Sequence, residues 1–203
     1  LFKEISNFIN NCIDQSKNIF VFCAGNSIIS NDIKSKKIYI KEISEEYKIK
    51  YNENSNYIDD IDEKKIHECD TVIISDIEHQ ENPASNLLKL SKLINDDAKI
   101  IILSKNMIWM ILVKILKYFF KFSPVKNNFL PSSYLKNLFS SCNLEIVRNE
   151  KIIALPVYIP VLTNIVNRIF RLPILNLFCV SNLTVLKKIE KNLDNNKDLN
   201  VSF

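Results

Sequence analysis

Four ionisable side chains crowd into the segment DIEHQENP: Asp76, Glu78, His79 and Glu81. A carboxylate-flanked imidazole is a set that could work as a general base, because an unperturbed His titrates close to neutrality and a neighbouring acid can orient it. The plainer alternative is that Glu78 and His79 cap the next helix and line a pocket without moving protons. What surrounds the segment decides where such chemistry would sit. Thr71 to Ser75 and Ile100 to Leu103 are short apolar runs rich in β-branched residues, which suits strands buried on both faces of a parallel sheet. Between them Leu87, Leu88, Leu90, Leu93 and Ile94 recur at helical spacing. Strand, crossover helix and strand make a right-handed unit that takes its ligands at the carboxyl ends of the strands. The acidic segment occupies that end.

The 203 residues allow one domain of ordinary size, and an apolar fraction of 47% with 25% charged residues is that of a globular chain. A single Gly in the whole chain weighs against every glycine-dependent motif. The net charge of +4 is modest and spread out, so nucleic acid is not expected as a partner. Five cysteines (Cys12, Cys23, Cys69, Cys142, Cys179) are scattered, odd in number and without a C-x-x-C pair, which predicts reduced thiols in a cytoplasmic protein. Two isolated histidines, His67 and His79, do not make a metal site, and His67 is expected at the surface. No run is long enough to span a membrane, and nothing at the start resembles a signal peptide. The first residue is Leu, which leaves open that the chain is a piece of something longer.

In chain order, Phe2, Ile5, Phe8, Ile9 and Ile13 predict an amphipathic helix ending near Gln15 to Lys17. Ile19 to Phe22 then form a strand, with Gly25 just beyond it, a geometry in which backbone N–H groups can face an anion or a nucleotide. Lys37 to Lys41 form the next strand, ending in Glu42. A carboxylate at the tip of a second Rossmann-like strand is placed to accept from both hydroxyls of a ribose, although Glu45 and Glu46 beside it show that a solvated Glu is common here. Tyr57 and Ile58 close a short third strand before Asp59 and Asp60.

The order of these features resembles the class I S-adenosylmethionine-dependent methyltransferases, of the type 11/12 kind, over most of the chain. VFCAGNSII, IYIKEIS, YIDDID, CDTVIISDIEHQENP and IIILSKN stand at the family's intervals. The fourth is the strongest match, with Asp70, Ser75, Asp76, Glu78, His79 and Pro83 in register. FLPSSYLKNLFSSCNLEIVRNE resembles the family's late helix and strand, with Ser132 or Ser133 as the helix cap and Leu135, Leu138 and Phe139 as its buried face. The resemblance implies a Rossmann-like three-layer αβα fold, with a mostly parallel sheet and an antiparallel C-terminal strand at Leu183 to Leu186. It implies S-adenosylmethionine as cofactor, held by Gly25, Glu42, Asp59, Asp60, Ser75 and Asp76. His79, oriented by Glu78 or Asp76, would then be the base for an acceptor that needs one.

The chain departs from the family's glycine-rich turn. Cys23 stands where the family has an acid, while Ser27 and Ile29 replace the second and third glycines. A β-branched Ile there narrows the approach of backbone to ligand. Two readings follow: a methyltransferase acting on a small or lipid- or sugar-linked acceptor, or a catalytically silent relative acting as a binding or scaffolding subunit. A nicotinamide-dependent enzyme is disfavoured, since its G-x-G-x-x-G turn is absent.

The expected organisation is one domain over residues 1–189 and a polar, frayed tail over 190–203. Within the domain, 107–130 and 154–182 are apolar insertions. Residues 107–122 carry Lys114, Lys117 and Lys121 on a narrow stripe, which fits a core or homodimer interface, a lid, or a peripheral contact at the inner membrane face. Pro156, Pro160 and Pro173 break the second insertion into short pieces. It resembles an ending found in methyltransferases that accompany glycan assembly.

Overall fold

The computed structural model describes residues 2–13, 17–23, 33–42, 56–57, 63–75, 77–80, 82–106, 108, 130–152, 179 and 181–189. Seven strands form one sheet: β1 (Asn18–Cys23), β2 (Lys37–Glu42), β3 (Asn56–Tyr57), β4 (Thr71–Ile74), β5 (Lys99–Lys105), β6 (Leu144–Ile152) and β7 (Ser181–Lys188). Their order is β3-β2-β1-β4-β5-β7-β6. Strands β3, β2, β1, β4 and β5 pair in parallel, and β7 lies antiparallel between β5 and β6. The expected mostly parallel sheet with one antiparallel C-terminal strand is therefore what the chain builds. Strands β1, β2, β5 and β7 run one or two residues past the expected apolar runs, because ladder bonds continue beyond them, whereas β4 stops at Ile74, one residue short of the expected Ser75.

The alternation of side chains explains the layers. Phe20 and Phe22 of β1, Val72 and Ile74 of β4, and Ile100 and Ile102 of β5 share one face. Ile19, Val21, Ile73, Ile101 and Leu103 share the other. The first face is covered by Ile66 of α2 (Glu63–His67), by Leu87 and Leu90 of α3 (Pro83–Leu93), and by Leu135, Leu138 and Phe139 of α4 (Ser132–Ser141). Phe8, Ile9 and Cys12 of α1 (Phe2–Cys12) cover the second. Helices on both faces make the three-layer αβα architecture, and they are what a parallel sheet buried on two sides requires.

Helix ends show how a glycine-poor chain terminates its elements. Helix α1 stops at Cys12, earlier than its apolar spacing suggests. There Lys99 Nζ reaches across from β5 and donates to the Cys12 carbonyl at 2.8 Å, placing a cation at the negative end of the helix. Lys188 of β7 does the same for α3, donating to the Ile94 carbonyl at 2.7 Å and to Asp96 at 2.9 Å. The hydrogen bond from Lys188 holds the Asp96 carboxyl below its usual range. After α4 the left-handed position is taken by Asn143, at φ 55°, where glycine is the commoner choice. The expected serine cap of α4 is corrected: Pro131 occupies the cap position with no side-chain bond, and Ser132 and Ser133 fall in the first turn. The extended backbone of Pro131 leads straight into the helix, its carbonyl accepting from the Leu135 N–H at 3.0 Å.

His67 is exposed at the end of α2. The insertions at 107–130 and 154–182, with their lid, interface and membrane readings, fall outside the described residues except for Ile108, Leu130, Cys179, Ser181 and Asn182, as does the tail at 190–203. Among the described residues no helix is long and apolar enough to cross a membrane.

Cys12, Cys69, Cys142 and Cys179 are buried and form no disulfide. Burial raises the pKa of Cys12 and Cys142 and, helped by Asp70 and Glu68, pushes the Cys69 thiol up to about 12 from its ordinary 9.0. Above pH 9.0 the unfolded chain sheds these protons while the folded one keeps them. Stability is therefore fully present below that pH and falls as pH rises toward about 12. The melting temperature should drop through this window. Cys69→Ser, which keeps a donor for the Lys65 carbonyl that the thiol meets at 3.0 Å but has no group to ionise there, should flatten the drop.

Candidate functional site

The strand order reverses between β1 and β4: β2 and β3 were added on one side of β1, and β4 and β5 on the other. At such a switch point the connections leave in opposite directions and open a crevice at the carboxyl ends, where ligands bind in open α/β sheets. Strand β4 ends there and the DIEHQENP segment begins. Ser75 follows β4 directly, and its N–H donates to the Phe22 carbonyl at 3.0 Å, so the two strand ends are held together at the crevice. Its side chain is completely buried, and its Oγ has no hydrogen-bond partner among the described residues.

Ile77–His79 form a 3-10 turn. Ile77 points into the core on the helix α3 side, which anchors the turn and fixes the direction of its neighbours. Glu78 is only 3% exposed, and its Oε1 accepts the backbone N–H of Lys105 at 2.8 Å. A carboxylate accepting a backbone N–H away from water makes a strong bond, here tying the end of β5 to the loop after β4. Glu78 thus ties strand β5 rather than capping α3. The cap of α3 is Asn82, whose Oδ1 accepts from the Ser85 N–H at 3.1 Å, with Pro83 at the first position.

The next residue beyond β5 extends the same corner. Asn106 is buried, donates from Nδ2 to the Cys179 carbonyl at 2.7 Å and accepts the Ile108 N–H on Oδ1 at 3.2 Å. The carboxyl end of β5 is therefore bonded on one side to the 3-10 turn and on the other to the segment leading into β7. On the far side of the crevice Glu42 ends β2 directly opposite Cys23, the last residue of β1. The structure thus brings Ser75, Glu78, Cys23 and Glu42 to strand ends along one edge of the sheet. His79 closes the 3-10 turn, but its side chain, like those of Glu42 and Cys23, is outside the described part. Gly25, Ser27, Ile29, Asp59, Asp60 and Asp76 also lie outside the described residues.

Sequence reasoning missed Gln80, which is buried beside the turn with Oε1 accepting from Asn86 Nδ2 at 3.1 Å. A lone Gln in an otherwise charged segment carries no signal of burial. Among the described residues no group of three or more His, Cys, Asp or Glu side chains is placed to hold a metal ion.

No family model matches the sequence, and no curated protein matches it. Solved structures do. An S-adenosylmethionine-dependent methyltransferase from Mesorhizobium loti aligns over 93% of this chain and 100% of its own with a TM-score of 0.60 at 10% identity. A TehB-like methyltransferase from Corynebacterium glutamicum aligns over 91% and 86% with a TM-score of 0.57 at 9% identity. Magnesium protoporphyrin IX methyltransferase from Synechocystis PCC 6803, solved with bound SAH, aligns over 93% and 81% with a TM-score of 0.56 at 12% identity. At these identities the likeness is one of fold: the chain has the Rossmann-like fold of the class I methyltransferases.

The Glu78 bond is open to a direct test. Glu78→Ala leaves the Lys105 N–H without this acceptor and should lower the unfolding free energy by about 1–3 kcal/mol in urea titration. Glu78→Gln retains an acceptor oxygen and should cost clearly less.

Proposed function

We propose that the chain belongs to the class I S-adenosylmethionine-dependent methyltransferases and transfers a methyl group to a small or lipid- or sugar-linked acceptor. The observation that carries the reading is the buried and unpartnered Ser75 Oγ at the carboxyl end of β4, beside the point where the strand order reverses, in a methyltransferase fold. An orphaned hydroxyl at the place where such sheets take ligands fits a cofactor with polar atoms to offer. When bound, S-adenosylmethionine supplies a methyl group that is already activated, so the protein's share is binding and alignment.

In this reading Glu42, at the tip of β2, accepts from the ribose hydroxyls. Asp59 or Asp60 flanks the adenine. The Gly25 turn approaches the cofactor with its backbone, and Ser75 and Asp76 hold its amino-acid end. His79 removes a proton when the acceptor is a poorly ionised hydroxyl or a protonated amine. Glu78 contributes by fixing the turn that carries His79, through its bond to Lys105. The apolar stretches beginning at Met107 and Leu155 suit the non-polar part of an acceptor, a second copy or the inner membrane face, which is why a lipid-linked acceptor and cytoplasmic work at a membrane are included.

A second reading, a silent member used as a binding subunit, is favoured by Cys23, Ser27 and Ile29 in the turn that carries an acid and glycines in the family. Calorimetric titration with S-adenosylhomocysteine separates the two. The methyltransferase reading expects micromolar binding, weakened about tenfold in Glu42→Ala by loss of paired charge-assisted bonds. His79→Ala should keep that affinity while losing about 10²–10⁴ in turnover with a hydroxyl or amine acceptor. No binding by the wild-type protein up to millimolar ligand supports the silent reading and overturns the first.

A further inference from the structure

Gln80 follows the 3-10 turn directly, its N–H donating to the Ile77 carbonyl at 3.3 Å, and its side chain is 5% exposed. Half of its amide is in use, since Asn86 of α3 donates from Nδ2 to Gln80 Oε1 at 3.1 Å. The other half is idle: Nε2, with two N–H donors, has no partner among the described residues. Ser75 Oγ, at the start of the same loop, is in the same state. A buried donor left unbonded destabilises a fold relative to an apolar side chain of the same shape, so packing alone does not account for a Gln here. The Asn86 bond holds the carboxamide in one orientation before any partner arrives, which lowers the entropic cost of bonding through Nε2.

We propose that Gln80 is a binding residue of the crevice, its Nε2 donating a hydrogen bond to a ligand oxygen. That oxygen is a hydroxyl or carboxylate oxygen of the S-adenosyl group, or an anionic oxygen at the methyl-accepting end of the acceptor. The assignment rests on the methyltransferase reading and adds to it a residue that the resemblance does not name.

The experiment compares the wild-type protein with Gln80→Met, which removes the donor while keeping the length of the side chain, and Gln80→Glu, which keeps an acceptor for Asn86. In 15N-labelled protein the Gln80 side-chain amide resonance is identified by its loss in Gln80→Met. If the oxygen belongs to the cofactor, S-adenosylhomocysteine moves this resonance and binds both variants roughly fivefold more weakly, the weight of one hydrogen bond. If it belongs to the acceptor, S-adenosylhomocysteine binds all three proteins alike, and the resonance moves only when inorganic phosphate or acetate is added to the saturated complex. Saturation with S-adenosylhomocysteine and then with both probe anions, with the resonance unmoved, overturns the assignment to Gln80 alone. So does unchanged affinity of both variants for S-adenosylhomocysteine and for both probe anions, which would make Gln80 a partner of structural water. Failure of the wild type to bind S-adenosylhomocysteine is a separate outcome, and it overturns the methyltransferase reading together with this one.

Discussion

The bond from the Lys105 N–H to the Glu78 carboxylate, at 2.8 Å, joins the end of β5 to the 3-10 turn that follows β4. Parallel strands are linked to each other along their ladders but not beyond them, so the loops at their carboxyl ends need bonds of their own. Ser75 supplies one toward β1 through the Phe22 carbonyl, Glu78 one toward β5, and Asn106 one from β5 toward the start of β7. Four strand ends are thereby locked into one rim. A buried polar group is costly to leave without a partner, which makes the position of Glu78 in the loop well determined. The neighbours on the turn inherit that determination.

Substitution for glycine runs through the whole molecule. With one Gly in 203 residues, the chain ends its helices with groups brought from elsewhere: Lys99 on the end of α1, Lys188 on the end of α3, and a left-handed Asn143 after α4. The two lysines sit at opposite faces of the sheet and connect strand to helix as they cap. The same scarcity shapes the turn after β1, where Cys23, Ser27 and Ile29 stand among positions that favour an acid and glycines in the family. Replacing glycines at a helix end is inexpensive because Asn tolerates positive φ. Replacing them beside a cofactor is more demanding, since a side chain there occupies ligand space.

The sheet was legible in the sequence because its inner strands are buried on both faces. Ile19 to Phe22, Thr71 to Ser75 and Ile100 to Leu103 read as apolar runs for that reason, and all three give paired strands, the second ending at Ile74. The helix over α3 was equally plain from its leucine spacing. Boundaries were less so: the end of α1 at Cys12 is capped by a lysine 87 residues further along the chain, a partner that no local pattern reveals. Short α2 escaped notice, since one buried residue, Ile66, gives no periodicity. At the site the acidic segment stood out by composition and its place at the carboxyl edge followed from the strand order. The role of Glu78 did not, because its partner is a backbone N–H that every residue but proline possesses. Gln80 was silent for a similar reason: its burial comes from the turn and from Asn86, and neither shows as a motif.

A crystal structure of the protein grown with saturating S-adenosylhomocysteine addresses the central claim most directly. The account predicts the ligand at the carboxyl edge of the sheet, over the ends of β1 and β4, with a polar atom within hydrogen-bond distance of Ser75 Oγ and its ribose beside Glu42. A ligand bound anywhere else, or an empty crevice at a concentration where solution titration shows saturation, would contradict it.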